Sequence, residues 1–195
     1  MSDDRTAREP RTRDDIVREL ERVRIESRAY WMSFAPDGFL AALGEAWSPA
    51  DNVRHLTKSV RPVAMALRIP RLMLRLRFGR ARAPSRTYGA LVEVYRGKLA
   101  AGGQAGSYAP SPLRAEGDPE AARARILAQH DEAVAALIQA CARWSEDALD
   151  RYQLPHPLLG NLTIREMLFF TVYHNQHHVN VVRHRVAEAK AAPAR

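Results

Sequence analysis

Thr163-Ile-Arg-Glu-Met-Leu-Phe-Phe-Thr-Val-Tyr-His-Asn-Gln-His-His-Val-Asn-Val-Val-Arg-His-Arg-Val186 is the stretch that decides the fold. Thr163 followed three residues later by Glu166 has the form of a capping box, so a helix is predicted to start there and run to about Glu188. At about 100° per residue, Ile164, Met167, Leu168, Thr171, Val182 and Val186 share one side. His178 falls inside that stripe and His174 on its border. His177 lies further round, near Phe170 and Tyr173, and His184 is further still from the centre. Residues i and i+4 stand one above the other on a helix, so His174 and His178 are the inward pair. His174 with His177, at i+3, is the lesser choice. Two imidazoles placed this way can grip one divalent metal. Spacing alone favours two hydrogen-bonded core histidines over a metal pair.

Working outward, three more helices of comparable length are predicted. Ile16, Leu20, Val23, Tyr30, Trp31 and Phe34 form one stripe over about 13–34, ended by Ala35-Pro36-Asp37-Gly38. Ser48-Pro49-Ala50-Asp51 is a start signal for a second helix reaching about Arg68: a serine cap, proline at the first position, an acid at the third. Asp118-Pro119-Glu120 opens a third, continuing to about Arg151. Tyr152 to Gly160 reads as a loop, with His156 a turn residue. Between the second and third helices lies a long crossover, about 69–117, with a short helix at Thr87–Ala100 and a loop at 102–112. Such a crossover joins parallel helices, which a tight turn cannot. No β-rich region or repeat is evident. The expected fold is all-α, a four-helix bundle over 13–187, with flexible tails at 1–12 and 188–195.

Composition bounds the function. The 195-residue chain is 46% hydrophobic and 27% charged, ordinary for a globular domain. It has one cysteine, Cys141, which excludes an intramolecular disulfide and any multi-cysteine metal site. Cys141 reads as a small buried apolar residue. The absence of an apolar leader or membrane-spanning run points to the cytoplasm. The net charge is +8, and from Asn52 to Val92 there are ten Arg and Lys, Arg54 to Arg86, and no acid. That block is expected as a solvated face, with nucleic acid or anionic membrane as the less favoured partners. Local alternation predicts Leu72, Leu74, Leu76 or Phe78 toward the bundle, with Arg71, Arg75 and Arg77 toward water.

A third histidine, His55, stands in Trp47-Ser-Pro-Ala-Asp-Asn-Val-Arg-His-Leu56. It lies beside its helix's apolar stripe, in a lane with Ser48, Ser59, Pro62 and Ala66. These small residues would leave room for a ligand pocket, or mark a weakly packed flank. His130 lies on the apolar side of the third helix and reads as a hydrogen-bonded core histidine. Glu166 is turned away from the histidine pair, so no general base is evident.

Three stretches resemble the DinB/YfiT-like superfamily of metal-binding four-helix bundles: Trp47 to Leu56, Pro157-Leu-Leu-Gly-Asn-Leu-Thr-Ile-Arg-Glu-Met-Leu168, and His174-Asn-Gln-His-His178. Helix order and length agree over about 14–186. Asn180 departs from the glutamine that the family often carries there. The resemblance implies metal ligands His55, His174 and His178, with zinc or nickel as the divalent ion. It also implies an activity, transfer of a low-molecular-weight thiol such as bacillithiol or mycothiol to a small-molecule electrophile, and a homodimer. Three histidines leave a coordination position open, as catalytic zinc sites do. Hydrolysis by metal-bound hydroxide is a second enzymatic version. The alternatives are a metal-binding stress protein without turnover, and a basic surface module for polyanions.

Overall fold

The computed structural model describes residues 9–111, 113 and 117–191. Four long helices form the bundle: α1 (Arg13–Met32), α3 (Pro49–Ala66), α6 (Pro119–Cys141) and α8 (Ile164–Ala191). Shorter helices lie between them: α2 (Pro36–Leu40), α4 (Arg71–Phe78), α5 (Tyr88–Ala100) and α7 (Glu146–Arg151). The bundle is the expected one, and the sequence signals for its helix starts act as read. Ser48 Oγ accepts from the Asp51 amide, and Asp118 accepts from the amides of Glu120 and Ala121. Thr163 and Glu166 exchange both bonds of a capping box. Each satisfies amides that the first turn leaves without partners.

Two apolar clusters fix the topology. One joins Ile16, Leu20 and Val23 of α1 to Val60–Leu67, to Ala133–Cys141 and to the first two turns of α8. The other joins Trp31 and Phe39 to Ala50, Val53 and Leu56 of α3, Ile126 and Leu127 of α6, and Val179 and Val182 of α8. The early half of α3 therefore meets the early half of α6, so these two run parallel and the crossover spans the bundle's length. α1 and α8 run the other way. Between the clusters sits a polar layer of buried residues: Asn52, His55, Thr57, His130, Thr171, His174, Asn175 and His178.

Three local expectations are corrected. The third helix does not continue to Arg151. It ends at Cys141, where buried Trp144 turns inward and its indole N–H donates to the Leu67 carbonyl, and α7 restarts behind Ser145. Residues 152–160 are not all loop: Gln153–His156 pairs antiparallel with Gly160–Thr163 in a two-stranded hairpin, which tolerates Pro155 because both strands are edges. The basic segment takes its expected sides, on a helix rather than by alternation. Leu74 and Phe78, at i and i+4, face inward, whereas Leu72 and Leu76 are 57% and 70% exposed beside exposed Arg71, Arg75 and Arg77. Finally, α8 runs through residues 188–191, expected as tail. The other tail residues at 1–8 and 192–195 lie outside the described residues. No described helix is long and apolar enough to cross a membrane.

Candidate metal centre

The parallel run of α3 and its antiparallel neighbour α8 bring His55 opposite His174 and His178. The Nε2 atoms of His55 and His178 each lie 3.1 Å from Nε2 of His174. One ligand atom from each residue falls within 4.8 Å of the other two, a group that could hold a metal ion. Nε2 is the converging atom in all three.

Their outer nitrogens decide the proton placement. His55 Nδ1 is 2.9 Å from the Tyr108 carbonyl, which can only accept, so that Nδ1 carries hydrogen. His178 Nδ1 is 2.7 Å from Asn52 Oδ1, and the amide is oriented because Asn52 Nδ2 donates to the Ser48 carbonyl at 2.8 Å. Both imidazoles thus present an Nε2 lone pair inward. A hydrogen on His174 Nε2 could satisfy one of them, never both. Protonation is no remedy. Burial pushes His174 and His178 well below the ordinary histidine value, and the neighbouring imidazoles push the same way. Burial also lowers His55, against the Tyr108 bond that raises it, with Lys58 adding to the lowering. Three neutral imidazoles with converging lone pairs fit a divalent cation. Nitrogens about 2.0–2.1 Å from one ion stand about 3 Å apart.

The cluster opens on a cavity of about 370 Å³. Ser59, Pro62 and Ala66 of the His55 lane line it, together with Val63, Phe78, Leu99, Leu154, Pro155, Leu158, Met167 and Phe170. The small-residue lane is therefore a pocket wall. Among the described residues, no Arg, Lys, Asp or Glu contributes to the lining. Phe170 stacks on His174 at 4.7 Å, and Trp47 lies parallel to His178 at 6.3 Å. His177 stacks on Tyr173 as the wheel placed it, yet it also borders the cavity.

His156 is a correction. It belongs to the first hairpin strand and packs against Phe170 at 4.3 Å. Its Nδ1 accepts from the amides of Leu158 and Leu159, so Nε2 carries the hydrogen, and burial lowers its pKa to about 4. Tyr95 was not singled out in the sequence. It is buried on the cavity wall, its phenol pushed up to about 12 by burial. The alternation of apolar and aromatic residues in α5 carried no signal of this role. His130 is the expected core histidine: Nε2 lies 2.9 Å from Asn175 Oδ1 and Nδ1 3.3 Å from Thr57 Oγ1. Glu166 is spent elsewhere, accepting from Arg86 and the Thr163 amide. Cys141 is fully buried, its thiol raised to about 11, and outside the cavity.

The sequence profile of the DinB superfamily matches residues 19–182. A solved structure described as the crystal structure of TT2238, a four-helix bundle protein, is similar in fold. Its TM-score is 0.55 at 23% identity, covering 88% of this chain and 98% of that one. No curated protein matches the chain.

Proposed function

The chain belongs to the DinB superfamily, and from that premise we propose that it is a metal-dependent enzyme transferring a thiol, or water, to a neutral apolar electrophile. The observation that carries this reading is the convergence of three Nε2 atoms whose outer nitrogens are fixed by Tyr108 and Asn52. His55, His174 and His178 would hold zinc or nickel, which when bound lowers the pKa of a coordinated thiol or water to give a nucleophile near neutral pH. The rest is the work of the chain's own groups. The Tyr108 carbonyl and Asn52 amide hold the imidazoles in one tautomer and orientation. Phe170, Met167, Leu99 and Leu158 exclude water and receive an apolar substrate. Tyr95 keeps its phenolic proton across the working range, and His156 presents an Nε2–H, so both are hydrogen-bond donors on the wall.

None of the ten cations between Arg54 and Arg86 lies on the cavity lining. A thiol in the cavity would therefore find no ion-pair partner from this block. A metal-holding protein without turnover is the second reading, favoured by the lack, among the described residues, of a lining carboxylate to act as general base. Elemental analysis of the purified protein, followed by a screen of thiols against apolar electrophiles on the metallated form, separates the two. Turnover that disappears with chelation and returns with metal is expected. Turnover that survives chelation overturns the metal mechanism, and a metallated protein inert across the screen favours the second reading.

A further inference from the structure

The bundle carries an outward face that the histidine centre does not explain. Helix α4, Arg71-Leu-Met-Leu-Arg-Leu-Arg-Phe78, has two apolar stripes. Leu74 is buried and Phe78 half-buried against the bundle. Leu72, Met73 and Leu76 are 57%, 55% and 70% exposed. At about 100° per residue these three fall within about 100° of arc, roughly opposite Leu74 and Phe78. Arg71 and Arg75 flank that outer ridge on one side and Arg77 on the other. The preceding chain continues the pattern: Met65 and Ile69 are exposed, beside exposed Arg61 and Arg68.

A groove next to the ridge repeats it in concave form. Its floor is Pro62, Met65, Ala66, Ile69 and Phe78, and Lys58, Arg61 and Arg77 stand on its rim. The chain from Asn52 to Val92 has no acid to neutralise these cations locally. Of the block, Arg54 and Arg86 are paired with acids, Asp51 and Glu166, among the described residues.

We propose that this face, α4 with the end of α3, docks on an anionic lipid surface. Exposed aliphatic side chains between arginines are what an interfacial helix needs: the apolar ridge enters the acyl boundary and the cations meet phosphate headgroups. A phosphate polymer would use the arginines but leave Leu72, Met73 and Leu76 without a place to bury, and the aromatic of this face, Phe78, is half-buried against the bundle rather than free to stack on bases. The position suits the pocket as well. Pro62, Ala66 and Phe78 line both the surface groove and the histidine cavity, so the docked face adjoins the route by which an apolar molecule would reach it.

The test is co-sedimentation of the full chain with vesicles of phosphatidylcholine alone or mixed with phosphatidylglycerol. Binding should require the anionic lipid and weaken as salt rises. Leu72→Gln with Leu76→Gln, which changes no charge, should reduce binding at least about tenfold even at low salt, through loss of apolar insertion. Both side chains are exposed, so an unchanged thermal melt should accompany that loss. Arg75→Gln with Arg77→Gln should cost about twenty-five-fold, at about fivefold per cation near the surface. No binding to anionic vesicles overturns the proposal. So does full binding by the leucine double variant, which would mean charge adsorption alone. It is equally overturned if sedimentation shows a dimer that the leucine changes dissociate while vesicles are ignored. Tight duplex binding retained by that variant, with no vesicle binding, would assign the face to nucleic acid instead.

Discussion

The polar layer at mid-bundle holds two kinds of buried histidine. His130 has a partner in reach of each nitrogen, Asn175 Oδ1 at 2.9 Å and, at 3.3 Å, the Thr57 hydroxyl that it shares with the Val53 carbonyl. His55, His174 and His178 give their outer nitrogens partners where one exists and turn the inner ones on each other. Both arrangements occupy one level between the same two apolar clusters and are comparably buried. The difference teaches where function is to be sought. A buried polar group satisfied within the protein contributes to a unique packing, whereas lone pairs gathered at one point need something from outside. The cavity lies against the second kind.

The comparison breaks most readily at His178. Replacing it by Ala should weaken metal binding by more than about a hundredfold, since even a partner one shell out costs 10–100-fold. Isothermal titration with zinc measures this, and helical circular dichroism should stay near the parent's. An unchanged affinity would mean that the converging nitrogens hold no metal.

His130 should instead show itself in stability. Its pKa in the folded protein is lowered to about 4, first by burial, while an unfolded histidine titrates near 6.5. Below that value the unfolded chain takes up the proton and the folded one does not. The stability is therefore complete above about pH 6.5 and is lost as pH falls toward 4, by on the order of 3 kcal/mol at the limit. Urea unfolding of metal-free protein across that window should have a steeper pH dependence than the His130→Leu variant. Equal slopes would remove His130 from the account. His130→Leu should also retain metal affinity.

Asn52 sharpens the contrast from one shell out. Asn52→Ala leaves the three imidazoles in place but frees the His178 ring, and zinc affinity should fall roughly 10–100-fold. The smallest effect belongs to His177. It borders the cavity yet stacks on Tyr173, outside the cluster, so His177→Ala should leave zinc affinity within about threefold. A larger drop would add it to the ligand set.

What could be read in advance divides along physical lines. The bundle was legible because caps and apolar stripes are local: Ser48, Asp118 and the Thr163–Glu166 box mark where helices begin. The His174–His178 pair was legible for the same reason, since i, i+4 spacing needs only the helix. His55 was not decided by its own helix. It faces a cavity rather than the apolar core, and only the resemblance and then the folded arrangement bring it to the pair. Tyr108 left no trace, because it contributes a carbonyl that every residue has. The break after Cys141 was hidden because Trp144, a good core residue for a continuing helix, instead seals the turn through Leu67. In α4 the sequence left open which apolar residues turn inward, and the helix settles it by burying Leu74 with Phe78 one turn on.

The crossover is fastened to α3 by three nearby bonds. Arg54 reaches the Ser111 carbonyl, His55 that of Tyr108, and Lys58 that of Ala109. The middle bond is shared with the histidine centre. Local opening of this strap and loss of the His55 orientation are consequently one event, and linkage runs in both directions. Whatever steadies the imidazole must slow cleavage by a protease acting between Gly102 and Pro110. A nick in that stretch must in turn loosen the grip of a residue about fifty positions earlier in the chain.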